Sequence, residues 1–259
     1  MWLLDLGNSR LKWSVADGDA LGTVHALAHA GVAGGDDALS AFEEALVCLF
    51  EDCAQDTALR AGLFASVAPD VVRERVEAAA ARVGLSLRRV ATEAECSGVR
   101  VAYAQPARLG VDRFLALLAA HARGGDWLLV SLGSALTVDL LDVRGQHHGG
   151  LIGIMPAHAE AALKSRFPAL DRGPGQASSP WAMDTPDAVA AGVRRQSLGL
   201  VMAAFSDAEE RLGRQPGVLV GGGDALATVA DLQRRLPVLP VRADTLVLEG
   251  LLAWARARI

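Results

Sequence analysis

The stretch Trp2-Leu3-Leu4-Asp5-Leu6-Gly7-Asn8-Ser9-Arg10-Leu11-Lys12 decides the fold. Trp2 to Leu6 reads as a buried strand, Gly7 to Ser9 as a turn of small residues, and Leu11 to Val15 as a second strand. Asp5 interrupts the apolar run, and a carboxylate on a buried strand needs a partner. Gly7 lets the backbone come close to a ligand. Successive N–H groups in such a turn can cradle phosphate oxygens. Asn8 and Ser9 add neutral donors, Lys12 adds a positive charge, and Asp5 is suited to holding a hydrated magnesium ion. An ordinary hairpin with Asn-Ser in its turn explains most of the same residues, but not Asp5.

The device recurs at Ser131-Leu132-Gly133-Ser134-Ala135-Leu136-Thr137-Val138-Asp139. Trp127 to Leu132 and Leu136 to Asp142 read as strands about a Gly-Ser turn, with donors on Gly133, Ser134 and Thr137. Between the two lie a helical pattern over Asp37–Phe50 and a short apolar strand, Gly62–Val67. A helix follows over Asp70–Val83 with Asp70 as its N-cap, then a strand over Leu85–Val90. The loop Tyr103–Gly110 leads into an apolar helix, Arg113–Ala122, closed by Gly124-Gly125. Helices dominate afterwards, broken by the polar stretch Asp171–Pro180. A strand at Val218–Val220 runs into Gly221-Gly222-Gly223-Asp224, and the chain closes with a helix over Leu246–Arg256. The pattern is a doubled α/β chain with a mixed sheet in each half. We place the halves at residues 1–115 and 116–259. Two such turns facing each other over a cleft would clamp a triphosphate.

The 259 residues are 51% hydrophobic, with aromatic residues scarce, so the core is expected to be aliphatic. The net charge of −5 and the dispersed Lys and Arg show no basic face for nucleic acid. Cys48, Cys53 and Cys96 have neither zinc spacing nor a disulfide framework. Met1-Trp2-Leu3-Leu4-Asp5 does not read as a signal peptide, so none is expected, and no apolar run reaches the ~20 residues of a membrane helix. A soluble cytoplasmic protein is expected.

Gly110-Val111-Asp112-Arg113 admits two readings. Asp112 is a good N-cap for the helix that follows. It is also placed to act as a general base for an alcohol attacking phosphorus, with Arg113 binding a substrate carboxylate. The glycines of Gly221–Gly223 permit an anion to approach a helix start, or simply make a tight turn. His147 and His148 fall between strands and are expected to face solvent. Asp184-Thr185-Pro186 reads as a helix start.

In their order and spacing these motifs resemble those of type III pantothenate kinase, within the acetate and sugar kinase/heat-shock ATPase/actin superfamily. The set is Asp5–Ser9 with Lys12, Pro106 with Leu109–Arg113, Gly133–Asp139, Gly149–Pro156, Thr185 with Ala188, Val189 and Gly192, and Gly221–Asp224. The resemblance implies two ribonuclease-H-like, actin-like ATPase halves and transfer of the ATP γ-phosphoryl to pantothenate, the first step of coenzyme A biosynthesis. It implies ATP and magnesium at Asp5, Leu6, Gly7, Asn8, Ser9, Arg10, Leu11 and Lys12, with Ser134 also contacting ATP. It puts pantothenate at Tyr103, Gly110, Val111, Asp112, Arg113 and Thr185, with Asp112 as proton acceptor. It implies a homodimer in which Thr185 approaches the partner's pocket. It also implies a monovalent cation, potassium or ammonium, bound by an Asp two residues before Gly133. Here that position is Ser131, a neutral and weaker ligand. Asp139 compensates, or cation dependence is altered, or activity is low. A nucleotide-binding accessory factor and a kinase for another small polyol or acid are the alternatives.

Overall fold

The structure is a computed structural model that describes residues 1–29, 34–55, 60–179, 181–223 and 225–258. Two compact units emerge: Met1–Arg123 with Thr245–Ile259, and Gly124–Asp244.

The first unit is built on the opening hairpin, β1 (Trp2–Leu6) and β2 (Arg10–Asp17), paired antiparallel with Leu6 opposite Leu11. Short strands β3 (Ala20–Leu21) and β4 (His25–Ala28) flank β2. After helix α1 (Gly35–Gln55), β5 (Ala61–Ser66) pairs parallel with β1. Helix α2 (Asp70–Arg82) returns the chain to β6 (Ser86–Arg89), parallel to β5. Asp70 lies inside the first turn of α2, and the N-cap position is Pro69, not Asp70 as expected. A two-stranded ribbon, β7 (Glu95–Cys96) and β8 (Val99–Arg100), precedes helix α3 (Val111–Ala122).

Alternation along β1 divides its side chains between two layers. Trp2, Leu4 and Leu6 enter a core with Leu11, Trp13, Phe50, Phe64 and Val76, beneath α1 and α2. The Trp2 and Trp13 rings each meet Phe50 edge-on, at 5.6 and 5.8 Å. Leu3 and Asp5 face the opposite way, where α3 and the closing helix α7 pack on the sheet.

The second unit repeats the plan. Strands β9 (Trp127–Leu132) and β10 (Leu136–Leu141) form an antiparallel hairpin extended by β11 (His147–Gly153). Helices α4 (Pro156–Arg166) and α5 (Thr185–Leu212) follow. Then β12 (Gly217–Gly222) pairs parallel with β9, and helix α6 (Ala225–Gln233) leads to β13 (Val241–Arg242). The core joins Leu128, Val130, Val138, Val218 and Val220 to Val201 and Phe205 of α5. Helix α7 (Leu246–Arg256) belongs to the first unit, where Gly250 lies so close to α3 that a Cβ there would be 2.0 Å from the Leu115 carbonyl oxygen.

Candidate active site

In the first unit, Asp5 and Lys12 stand opposite each other across the hairpin, and Ala65 lies beside Asp5 on β5. Residues paired in register share a face, so both charges project from the α3 side of the sheet. Burial, then the nearby Asp112 carboxylate, pushes the Asp5 pKa up to about 7, against the opposing pull of Lys12. Two carboxylates held together in this way suit a divalent cation, which would favour both ionised forms. A magnesium ion that keeps most of its waters needs only one or two protein carboxylates besides substrate phosphate, so this donor set fits.

Asp112 is not the helix cap: Gly110 occupies that position, and Asp112 lies in the first turn of α3. Its Oδ1 accepts the Arg113 N–H at 2.8 Å. A Cβ at position 110 would come within 2.6 Å of that same oxygen, so the carboxylate's position depends on Gly110. The carbonyl of Leu109 accepts from the Thr92 hydroxyl at 2.8 Å, which ties this turn to the strand-exit segment. Arg113 is buried; its Nη1 donates to the Tyr103 hydroxyl at 3.2 Å, and its guanidinium lies 5.9 Å from the Tyr103 ring centroid. Val111 is buried.

The turn itself is exposed at Asn8, Ser9 and Arg10, whereas Leu6 and Leu11 are fully buried and offer a ligand only their backbone. The Gly7 N–H donates to the Arg10 carbonyl at 3.0 Å. The structure thus brings Asp5, Lys12 and Asp112 into one electrostatic cluster and pairs Arg113 with Tyr103. His29 and Thr92, which sequence reasoning missed, brace this cluster from distant segments. No local motif marks either residue.

Ser131, Ser134 and Thr185 belong to the second unit. Ser131 is the counterpart of Asp5: each lies two residues before its hairpin glycine and faces a residue of the following strand, Thr137 in this case. Ser131 and Ser134 are exposed. Asp139 is 3% exposed, and its Oδ1 accepts from His147 Nε2 at 3.0 Å. His147 is therefore an interior residue at 0% exposure, contrary to expectation. Its register opposite Leu141 turns the ring inward to meet that carboxylate. His148 is half-buried rather than solvent-facing: its Nε2 pairs with Asp142 at 3.1 Å, and its Nδ1 accepts from Arg211 at 2.9 Å. Among the described residues no group of three or more His, Cys, Asp or Glu is arranged to hold a metal ion. With a neutral hydroxyl at 131 and Asp139 bonded to His147, the residues present do not fit a carboxylate-based monovalent-cation site.

The glycine run at the end of β12 has a packing role. A Cβ on Gly222, whose φ is 108°, would lie 2.2 Å from the Leu132 carbonyl oxygen, and one on Gly221 would lie 2.5 Å from that of Ala243. Gly223 has open space beside it. Asp224, singled out with these glycines, lies outside the described residues.

Thr185 opens α5 as expected, with the Asp184 side chain accepting from the Asp187 N–H at 2.9 Å. It lines a cavity of about 600 Å³ together with Leu163, Met183, Val189 and Val193. Met183 and the neighbouring Trp181 are 101% and 84% exposed.

Known proteins resemble this chain in sequence and in fold. A Stenotrophomonas maltophilia (strain R551-3) protein named Type III pantothenate kinase is 40% identical over 260 residues, covering 98% of this chain and 96% of its own. Among solved structures, a Campylobacter jejuni protein classed with the Baf family of transcriptional activators superposes over 100% of both chains (TM-score 0.60, 17% identity). The activator of 2-hydroxyisocaproyl-CoA dehydratase from Clostridium difficile, solved with bound ADPNP, matches 99% of this chain and 93% of its own (TM-score 0.52, 12% identity). These two likenesses concern the fold alone. The family profile described as Type III pantothenate kinase matches residues 1–207, and the chain belongs to that family.

Proposed function

We propose that this chain transfers the γ-phosphoryl group of ATP to the primary hydroxyl of pantothenate, giving 4'-phosphopantothenate and ADP. The observation that carries the mechanism is the Asp5–Asp112 pair beside Arg113 and Tyr103. The turn Leu6–Leu11 and Lys12 take the phosphates, through backbone N–H groups and one positive charge. Asp5 would hold magnesium through water, and the ion would supply charge neutralisation at the transferring phosphoryl group. Asp112 accepts the pantothenate hydroxyl proton as that oxygen bonds to phosphorus and the bond to the β-phosphate oxygen breaks. The Arg113 guanidinium, oriented by the Tyr103 hydroxyl, meets the pantothenate carboxylate. Gly110 and Val111 contribute backbone to the same substrate, and Ser134 gives its hydroxyl to ATP. Transfer is direct, with no covalent enzyme intermediate, so positioning and charge neutralisation supply most of the rate.

The homodimer also belongs to this reading. Exposed Trp181 and Met183, next to the cavity lined by Thr185, support a second copy covering that face. We assign the reaction to the cytoplasm on the family reading alone. With Ser131 in the cation position, turnover should respond only weakly to potassium or ammonium.

Pantothenate-dependent ADP release by the purified protein tests the reading. Asp112→Asn should lower kcat on the order of 10²–10⁴-fold while nucleotide affinity stays near that of the parent. Absence of pantothenate-dependent release at every potassium and ammonium level would overturn the function. Near-normal kcat in Asp112→Asn would overturn the base assignment.

A further inference from the structure

His29 stands at the end of β4 and holds the phosphate turn at two points. Its backbone N–H donates to the Ser9 carbonyl at 3.1 Å, and its ring Nε2 lies 3.0 Å from the Gly7 carbonyl oxygen. A carbonyl oxygen only accepts, so Nε2 carries the proton and donates. On its other side the ring rests against Phe42, with centroids 5.3 Å apart and planes at 51°. Phe42 belongs to the core beneath α1 and α2. The turn is therefore tied through one imidazole to the hydrophobic core.

The Gly7 carbonyl belongs to the same peptide group as the Asn8 N–H. A hydrogen bond accepted at the oxygen polarises the amide and strengthens its N–H as a donor. It also fixes the plane of that peptide, and hence the direction of the N–H. Asn8 is exposed at the tip of the turn, where the proposed function puts the phosphates. Donors oriented before the ligand arrives avoid a reorganisation cost on binding.

We infer that His29 is a positioning residue for the nucleotide: its Nε2–H orients and polarises the Gly7–Asn8 peptide as a phosphate donor, without touching substrate itself. The inference rests on the kinase reading above and adds to it a residue that selects for ATP over pantothenate in its effect.

Two substitutions separate the donor from the packing. His29→Phe keeps an aromatic ring against Phe42 and removes the donor. His29→Gln loses the ring and keeps an amide N–H at nearly the same reach. Calorimetric titration with magnesium–ATP, without pantothenate, gives the binding constant, and steady-state kinetics give KM for each substrate. For His29→Phe, the loss of the donor that orients and polarises the Gly7–Asn8 peptide should raise the ATP Kd and KM about five- to tenfold, with the pantothenate KM within about twofold of the parent. His29→Gln should return the ATP Kd to within about threefold of the parent, whatever its melting temperature. Parent-like ATP binding in His29→Phe, or equal rises in both KM values, would overturn the inference. Failure of the parent itself to bind magnesium–ATP would instead remove the kinase reading, and this inference with it.

Discussion

At the scale of the residue, the site carries an electrostatic conflict. Asp5 lies one residue from the end of β1, and burial, then the nearby Asp112, pushes its pKa from an ordinary 3.8 up to about 7. The raised value means that the folded state holds the proton over a range in which the unfolded chain has already lost it. Between pH ~4 and ~7 the unfolded state binds fewer protons, so stability falls as pH rises, and the loss is complete only above pH ~7. Asp5→Asn removes the ionisation. The ligand-free variant should match the parent's melting temperature near pH 4 and exceed it increasingly up to a plateau above pH 7. Partial exposure of the side chain tempers the plateau difference to about 2 kcal/mol. Thermal melts at several pH values measure it; a difference independent of pH, or a variant less stable above pH 7, would contradict the arrangement. The same variant should lose turnover, because this carboxylate is the one proposed to hold magnesium. Asp5 was legible in the sequence for this reason: a charge within an apolar strand has no structural rationale of its own.

At the scale of the element, each hairpin and helix start fixes the direction of a few groups. Gly110 shows how tightly. Alanine there would put a methyl carbon 2.6 Å from Asp112 Oδ1, so the carboxylate must rotate or the first turn of α3 must shift. Gly110→Ala should therefore reduce kcat on the order of 10²-fold, as a displacement of about 1 Å does in a positioned site, with the melting temperature changed by only a few degrees. Parallel kinetics and melts check this; unchanged kcat would show that Asp112 does not need its present orientation. The elements themselves could be read from local pattern. The hairpins, the strand at β5 and the closing helix follow from alternation, helical period and turn residues. What could not be read was which side chains meet across elements. His147 was expected at the surface because it adjoins a turn, yet strand register carries it inward to Asp139. Asp112 resembles a cap because it precedes an apolar run, and the helix in fact begins two residues earlier than expected, at Val111 with Gly110 as its cap. The glycines at 221 and 222 suggested a ligand, whereas the adjacent strand backbones already account for them. His29 and Thr92 carry no signature, since each acts through a carbonyl far away in sequence.

At the scale of the whole molecule, the first unit is made from both ends of the chain, with residues 124–244 intervening. The closing helix α7 supplies Leu248, Leu251, Leu252 and Trp254 to the interior, and Trp254 Nε1 donates to Glu93 at 2.7 Å. Thr245 and Arg123 both bond to Glu249, which links the start of α7 to the end of α3. The face carrying Asp5 is the one these helices cover, so the site's geometry depends on a segment far from any of its motifs. Gly250 is where that dependence can be tested. The α3 and α7 backbones approach until a Cβ would stand 2.0 Å from the Leu115 carbonyl oxygen and 2.8 Å from the Leu115 Cα. Backbone atoms cannot swing aside as a flexible side chain does, so an added methyl must separate the helices. Overpacking of this kind costs about 1–3 kcal/mol, which at this chain length lowers Tm by about 3–10 °C. Gly250→Ala should show that loss by calorimetry, and its kcat should fall as well, because α3 carries Asp112 and Arg113. A surface glycine of α5 such as Gly199, with no atom within 4 Å of its would-be Cβ, provides the control. Alanine there removes only a helix-destabilising glycine and should leave stability unchanged or raise it by up to ~1 kcal/mol, with Tm unchanged or higher. If Gly250→Ala behaved like Gly199→Ala, the two ends of the chain would not meet as described.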